Sequence, residues 1–257
     1  MTVFHRPLLA AAILLAVTGA QAQTTLALVD AARARPVPID LYLPAKADSC
    51  TPERPCPVAL LSHGYGMGSR EYGFLAEALS ARGYLVASIG HEAPGDAKMD
   101  PNGDLPRQRA EMAARGAANI RFAHTVLARR YPGYDWGRTV LVGHSLGGDS
   151  SAWLARTDPA GIAALITLDN RRAALPRSEH IRVLSLRAAD TGADPGVLPT
   201  LEEQRRFKAC ILPLPDSRHN DMADGGPPEL RQRIVDAVLA FLTPGPNACP
   251  ATSDGVQ

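Results

Sequence analysis

An α/β fold, one largely parallel sheet with helices on both faces, is predicted by three observations. Short apolar runs of strand length alternate with stretches of helical periodicity from residue 24 to residue 242. Several of the runs, such as Val58-Ala59-Leu60-Leu61, are apolar at every position, as strands buried on both faces must be. The chain has 257 residues, 46% of them hydrophobic and 21% charged, which suits one domain with a full core and excludes a disordered chain.

The elements follow in order. Residues 24–29 and 37–43 read as a pair of entry strands, and 58–62 is a buried strand running into His63-Gly64. Over 69–81 the spacing of Phe74, Leu75, Ala78 and Leu79 predicts a helix that stops before Gly83. A strand at 84–89 leads to a loop over 92–106 that holds three Pro, two Gly and three Asp. Residues 107–130 have helical periodicity, 139–142 is a strand entering Gly143, and 146–156 is a helix. Strands at 162–168 and 181–186 have only about a dozen residues between them, too few for a lid domain. A helix at 201–207, a strand at 210–214 and a helix at 228–242 with Pro at its start complete the chain. The sheet therefore has about eight strands, and ligands of such sheets bind at the carboxyl ends of the strands.

Residues 1–22 read as a secretory signal peptide: Arg6 in a short leading segment, the apolar run 8–17, then Ala20-Gln21-Ala22 as a cleavage site. The run is shorter than the ~20 apolar residues of a membrane-spanning helix, so no stable membrane insertion is expected. This predicts a secreted or periplasmic protein whose folded part is residues 23–257. Its four cysteines, Cys50, Cys56, Cys210 and Cys249, are an even number in an exported chain and suggest disulfides. Cys50 and Cys56 bracket a polar, Pro-containing loop, which favours a local bridge and leaves Cys210 to tie down the tail at Cys249. No C-x-x-C spacing and no His beside a Cys points to zinc.

The 27 Lys and Arg balance 26 Asp and Glu, for a formal charge of +1. Without Arg6 the remainder is neutral. No basic run is present to neutralise phosphates, so nucleic acid is not an expected partner. A neutral chain gives little steering to charged substrates, which fits uncharged ones. Asp100, Asn102, Asp104 and Glu111 fall at positions of a calcium-loop template, but Leu105 stands where its glycine must be, so no metal is expected.

The chemistry centres on Gly143-His144-Ser145-Leu146-Gly147-Gly148, which follows a strand and opens a helix. In that setting G-x-S-x-G is a nucleophile elbow: the turn lifts the Ser145 hydroxyl above the sheet edge, and the glycines keep side chains out of the turn. The helix N-terminus presents free N–H groups, so the Leu146 amide is a candidate oxyanion donor. His63-Gly64-Tyr65-Gly66 after the strand at 58–62 supplies the other candidate, the Tyr65 amide. His219, on the loop after the last strand, is placed to serve as the general base, whereas His63 comes too early and reads as a structural hydrogen-bonding group. For the acid, Asp169 ends the first strand after Ser145, Asp190 follows the next strand, and Asp194 lies four residues further. The residues alone leave Asp169 and Asp190 nearly even.

This constellation resembles the α/β-hydrolase superfamily, and within it the branch of platelet-activating-factor acetylhydrolases and dienelactone hydrolases. The resemblance is carried by Ser62-His63-Gly64, a strand ending in His91, the Gly143–Gly148 elbow, Leu168-Asp169, and the His219 loop with Met222-Ala223-Asp224. It implies a single α/β-hydrolase domain and favours Asp169 as the acid, while polyester-hydrolase relatives use the position of Asp190. The expectation is a serine esterase that needs no cofactor and acts on small-molecule or polymeric esters, with Ser145, His219 and Asp169 as triad. The rivals are a peptidase or acyltransferase on the same triad, and a silent binding protein on the same fold.

Overall fold

Strands β1 (Gln23–Asp30) and β2 (Arg35–Tyr42) form an antiparallel ribbon at one edge of an eight-stranded sheet. The other six strands are mutually parallel: β3 (Val58–Ser62), β4 (Leu85–Ile89), β5 (Thr139–His144), β6 (Ile162–Leu168), β7 (Arg182–Arg187) and β8 (Cys210–Pro213). β2 joins them antiparallel to β4, and the order across the sheet is β1-β2-β4-β3-β5-β6-β7-β8. The chain winds outward from β3 to β4, then reverses to add β5 on the other side. The crevice at the carboxyl ends of β3 and β5 is thus a topological switch point, where open α/β sheets bind ligands. This computed structural model describes residues 23–243 and Cys249; the expected signal segment 1–22 lies outside the described residues.

Among the described residues five helices accompany the sheet: α1 (Gly73–Ala81), α2 (Leu105–Arg130), α3 (Leu146–Thr157), α4 (Leu201–Phe207) and α5 (Pro228–Leu242). The period-2 alternation of each strand feeds two cores. Val58 and Leu60 join Ile120 and Leu127 of α2 and Ala152 of α3 on one face. Ala59 and Leu61 join Leu75 of α1 and Ile234 and Phe241 of α5 on the other. The apolar runs of β3 and β4 are buried at all five positions for this reason. The 169–181 connection between β6 and β7 carries neither helix nor strand, in keeping with an uncovered sheet edge there.

Two helix starts differ from the sequence expectation. Helix α1 begins at Gly73, four residues later than its apolar spacing predicts. Ser69 is instead drawn into a turn, its hydroxyl donating to Asp40 Oδ2 at 2.7 Å. The free amides of the first turn are met by Asp224, whose carboxylate accepts from Gly73 N (2.8 Å) and Phe74 N (2.9 Å). Asp224→Ala is expected to cost about 1–2 kcal/mol of stability, as loss of an N-cap does, and urea unfolding measures it. Helix α2 begins at Leu105, because Asp104 caps it by accepting from Arg107 N at 3.0 Å. Of the calcium-template residues, Asp104 is thus spent on the cap and Asp100 on the amide of Asn102 at 2.9 Å.

Disulfides join Cys50 to Cys56 and Cys210 to Cys249, the expected pairing. The second ties position 249 to the first residue of β8, at the edge of the sheet. Among the described residues no helix is long and apolar enough to cross a membrane.

Candidate active site

Strand β5 ends at His144 and helix α3 starts at Leu146, so Ser145 alone makes the turn. Its backbone is held at φ 51° and ψ −119°, a region costly for a residue with a Cβ. Two bonds hold it there: Ser145 N donates to Leu168 O at 2.9 Å, and Ser145 O accepts from Asp149 N at 2.9 Å. The flanking glycines are demanded by close approach. A Cβ on Gly143 would run into the carbonyl of Gly147, and one on Gly147 into the carbonyls of Ser62 and His63. The elbow thereby clamps α3 against the end of β3.

His219 opens a single 3₁₀ turn (His219–Asp221) after β8. Its Nε2 lies 2.8 Å from Ser145 Oγ, and its Nδ1 lies 2.6 Å from Asp169 Oδ2. Asp169 follows β6 directly, has φ 53° and is fully buried. The structure therefore sets Asp169 on the ring of His219, and neither Asp190 nor Asp194. Asp190 Oδ1 accepts from the backbone N–H of His219 at 3.1 Å, and Asp194 pairs with Arg172. Asp169 also receives two guanidinium groups. Arg171 donates to Oδ2 from Nε (2.9 Å) and lies within 2.8 Å through its terminal nitrogen, while Arg187 lies 2.8 Å from Oδ1. Burial pushes the Asp169 carboxyl up, but the His219 hydrogen bond and the charges of Arg187 and Arg171 outweigh it and hold it below the ordinary value.

Gly64, Tyr65, Met67, Ser145, His219 and Asn220 line a cleft open to solvent above the triad-like line. Tyr65 also lines, together with Leu146 and Gly147, a smaller pocket. Among the described residues neither the Tyr65 nor the Leu146 backbone N–H has a backbone acceptor outside the regular elements. The Tyr65 loop is fixed from both ends: Gly66 N donates to Glu92 Oε1 at 2.6 Å, and the Tyr65 hydroxyl accepts from Met99 N at 2.9 Å. The His63 ring is spent on backbone. Its Nε2 accepts from His91 N at 2.9 Å and its Nδ1 donates to Gly64 O at 2.8 Å. Among the described residues no group of three or more His, Cys, Asp and Glu side chains is placed to hold a metal ion.

Two further side chains belong to the site and carried no assignable signal in the sequence. His144, beside Ser145 in the elbow, bonds through Nε2 to the carbonyl of His219 at 3.0 Å. Burial drives its pKa down to about 3, so the ring is neutral with a single N–H. A carbonyl only accepts, so that N–H is on Nε2, and Nδ1 must accept from the Tyr72 hydroxyl at 2.7 Å. The same hydroxyl accepts from Gly64 N at 3.1 Å. Tyr72 thus links the loop of Tyr65 to the carbonyl of His219 through one buried chain. Tyr72→Phe breaks both links without a change of shape. We expect the turnover of any reaction at Ser145 to fall about tenfold with KM little changed, since an indirect support carries roughly 1–2 kcal/mol. Steady-state kinetics on the purified variant tests it.

No family model and no curated protein matches the sequence. Solved structures do match. A ferulic acid esterase from Streptomyces cinnamoneus aligns with 24% identity and a TM-score of 0.59, over 90% of this chain and 93% of that one. Esterase 2 of Thermogutta terrifontis, in a form phosphorylated by paraoxon, aligns with 14% identity and a TM-score of 0.60, over 86% and 93%. A protein from Klebsiella pneumoniae assigned as a dienelactone hydrolase aligns with 17% identity and a TM-score of 0.60, over 86% and 98%. At these identities the likeness is one of fold, and it spans nearly the whole of each chain. Together with the elbow at Ser145 and the sheet order, it places this chain among the single-domain proteins of the α/β-hydrolase fold.

Proposed function

We propose that this chain is an exported serine hydrolase that cleaves carboxylic esters through an acyl-enzyme. The observation that carries the reading is the hydrogen-bonded line Asp169–His219–Ser145, with its serine on a strained turn at a helix N-terminus. In this reading Ser145 Oγ attacks the ester carbonyl while His219 Nε2 takes its proton. The carbonyl oxygen becomes an oxyanion, held by the amides of Tyr65 and Leu146. The C–O bond to the alcohol breaks, and His219 returns the proton to the leaving oxygen. Water then repeats the sequence on the acyl-serine and frees the acid. Asp169 keeps the His219 proton on Nδ1 and stabilises the imidazolium. The open cleft supports small soluble esters or an accessible polymer chain as substrate. The esterases among the structural neighbours, and the two disulfides, which suit an oxidising compartment, support the reading further.

The test pairs p-nitrophenyl acetate with p-nitroacetanilide on residues 23–257, with mass spectrometry after a fluorophosphonate probe. The expected result is rapid release from the ester, little from the anilide, and one probe adduct on Ser145. Faster anilide cleavage makes the protein a peptidase. Transfer of acetyl to an added alcohol in preference to water makes it an acyltransferase. Absence of both turnover and adduct leaves a binding protein on a hydrolase fold.

A further inference from the structure

Arg171 and Asp190 stand beside the triad-like line without belonging to it, and their bonds close a ring around His219. Arg171 grips Asp169 Oδ2, the same oxygen that His219 Nδ1 uses. Its terminal nitrogen also donates to Asp190 Oδ1 at 3.3 Å. That oxygen accepts the backbone N–H of His219 at 3.1 Å. His219 is therefore held twice, by its ring through Asp169 and by its backbone through Asp190, and Arg171 joins the two carboxylates. We propose that Arg171 and Asp190 are positioning residues that brace His219 from its ring and its backbone at once. The proposal rests on the reading of Ser145, His219 and Asp169 as a triad.

Arg171 is only 16% exposed in its side chain and Asp190 38%, so the brace is sheltered from solvent at the guanidinium and more open at the second carboxylate.

The test is steady-state hydrolysis of p-nitrophenyl acetate, with kcat and KM read separately and each rate expressed per active site titrated with the fluorophosphonate probe. In Arg171→Gln kcat should fall about tenfold with KM little changed. Arg171→Lys keeps one donor but lacks the two-pronged grip and should recover only part of that loss. Asp190→Asn keeps an acceptor for the His219 amide, so its kcat should fall less than about tenfold, and it carries the test alone if Arg171→Gln does not fold. A purely structural role would lower the titratable fraction and leave kcat per titrated site at the wild-type value in every variant; that result overturns the proposal. A wild type that neither turns over nor labels at Ser145 sinks the triad reading, and the brace with it.

Discussion

Ser145→Ala is expected to lower kcat for ester hydrolysis about 10⁵- to 10⁶-fold, the loss seen when a member of a catalytic serine triad is removed. What remains is substrate held by free amides, with no nucleophile. The variant should keep its fold, because nothing in the elbow depends on Oγ. The turn is set by backbone bonds from Ser145 N to Leu168 O and from Asp149 N to Ser145 O. The glycines that make room for it, Gly143 and Gly147, are untouched. Alanine also keeps the Cβ, and with it the unfavourable φ of 51°. Ser145→Gly removes that Cβ and should be more stable than wild type by about 1–3 kcal/mol, while equally inactive. The pair separates two properties of one residue: the chemistry proposed for its hydroxyl, and the strain of the backbone that exposes it. Steady-state rates and urea unfolding of the two variants read the two properties independently. Turnover near the wild-type value in Ser145→Ala would remove Ser145 from the chemistry.

The elbow was legible in the sequence because everything that makes it is local. A strand, a glycine, the serine, two glycines and a helix occupy consecutive positions 139–157. The position of His219 was legible from chain order, since the loop after the last parallel strand must surface at the same sheet edge. The sheet was legible from its buried runs, and the helix starts less so. Asp224 caps α1 from 150 residues away, and no window around Gly73 contains that information. The supports of the site were hidden for the same reason. Tyr72 meets His144 across 72 residues, and Arg187 meets Asp169 only because β6 and β7 are neighbours in register. Charged residues at strand ends look alike in a sequence. Which of them turn inward depends on a few backbone angles.

Asp169 and Asp190 differ by such an angle, and the comparison of the two gives the second large expected effect. Both aspartates leave adjacent parallel strands at the same sheet edge. Asp169 turns at once, with φ 53°, and its carboxylate meets His219 Nδ1 at 2.6 Å. Asp190 lies beyond the end of β7 and reaches only the backbone of His219. Asp169→Asn should lower kcat about 10⁴-fold, because an amide in place of the carboxylate no longer selects the tautomer with its proton on Nδ1. It should also destabilise the fold by about 3–5 kcal/mol, since Arg187, only 8% exposed, is left without its counter-charge. Asp190→Asn keeps an acceptor for the His219 amide at a half-exposed position, so its loss in kcat should stay under about tenfold. Rates per titratable site keep the stability effect out of the comparison. If the order is reversed, the acid is Asp190, and the Asp169–Arg171–Arg187 cluster becomes a structural ion network on which the histidine merely rests. If the order holds, the same cluster has a double duty. Its two guanidiniums make a buried carboxylate affordable, and they hold that carboxylate in the one orientation from which it can align the base.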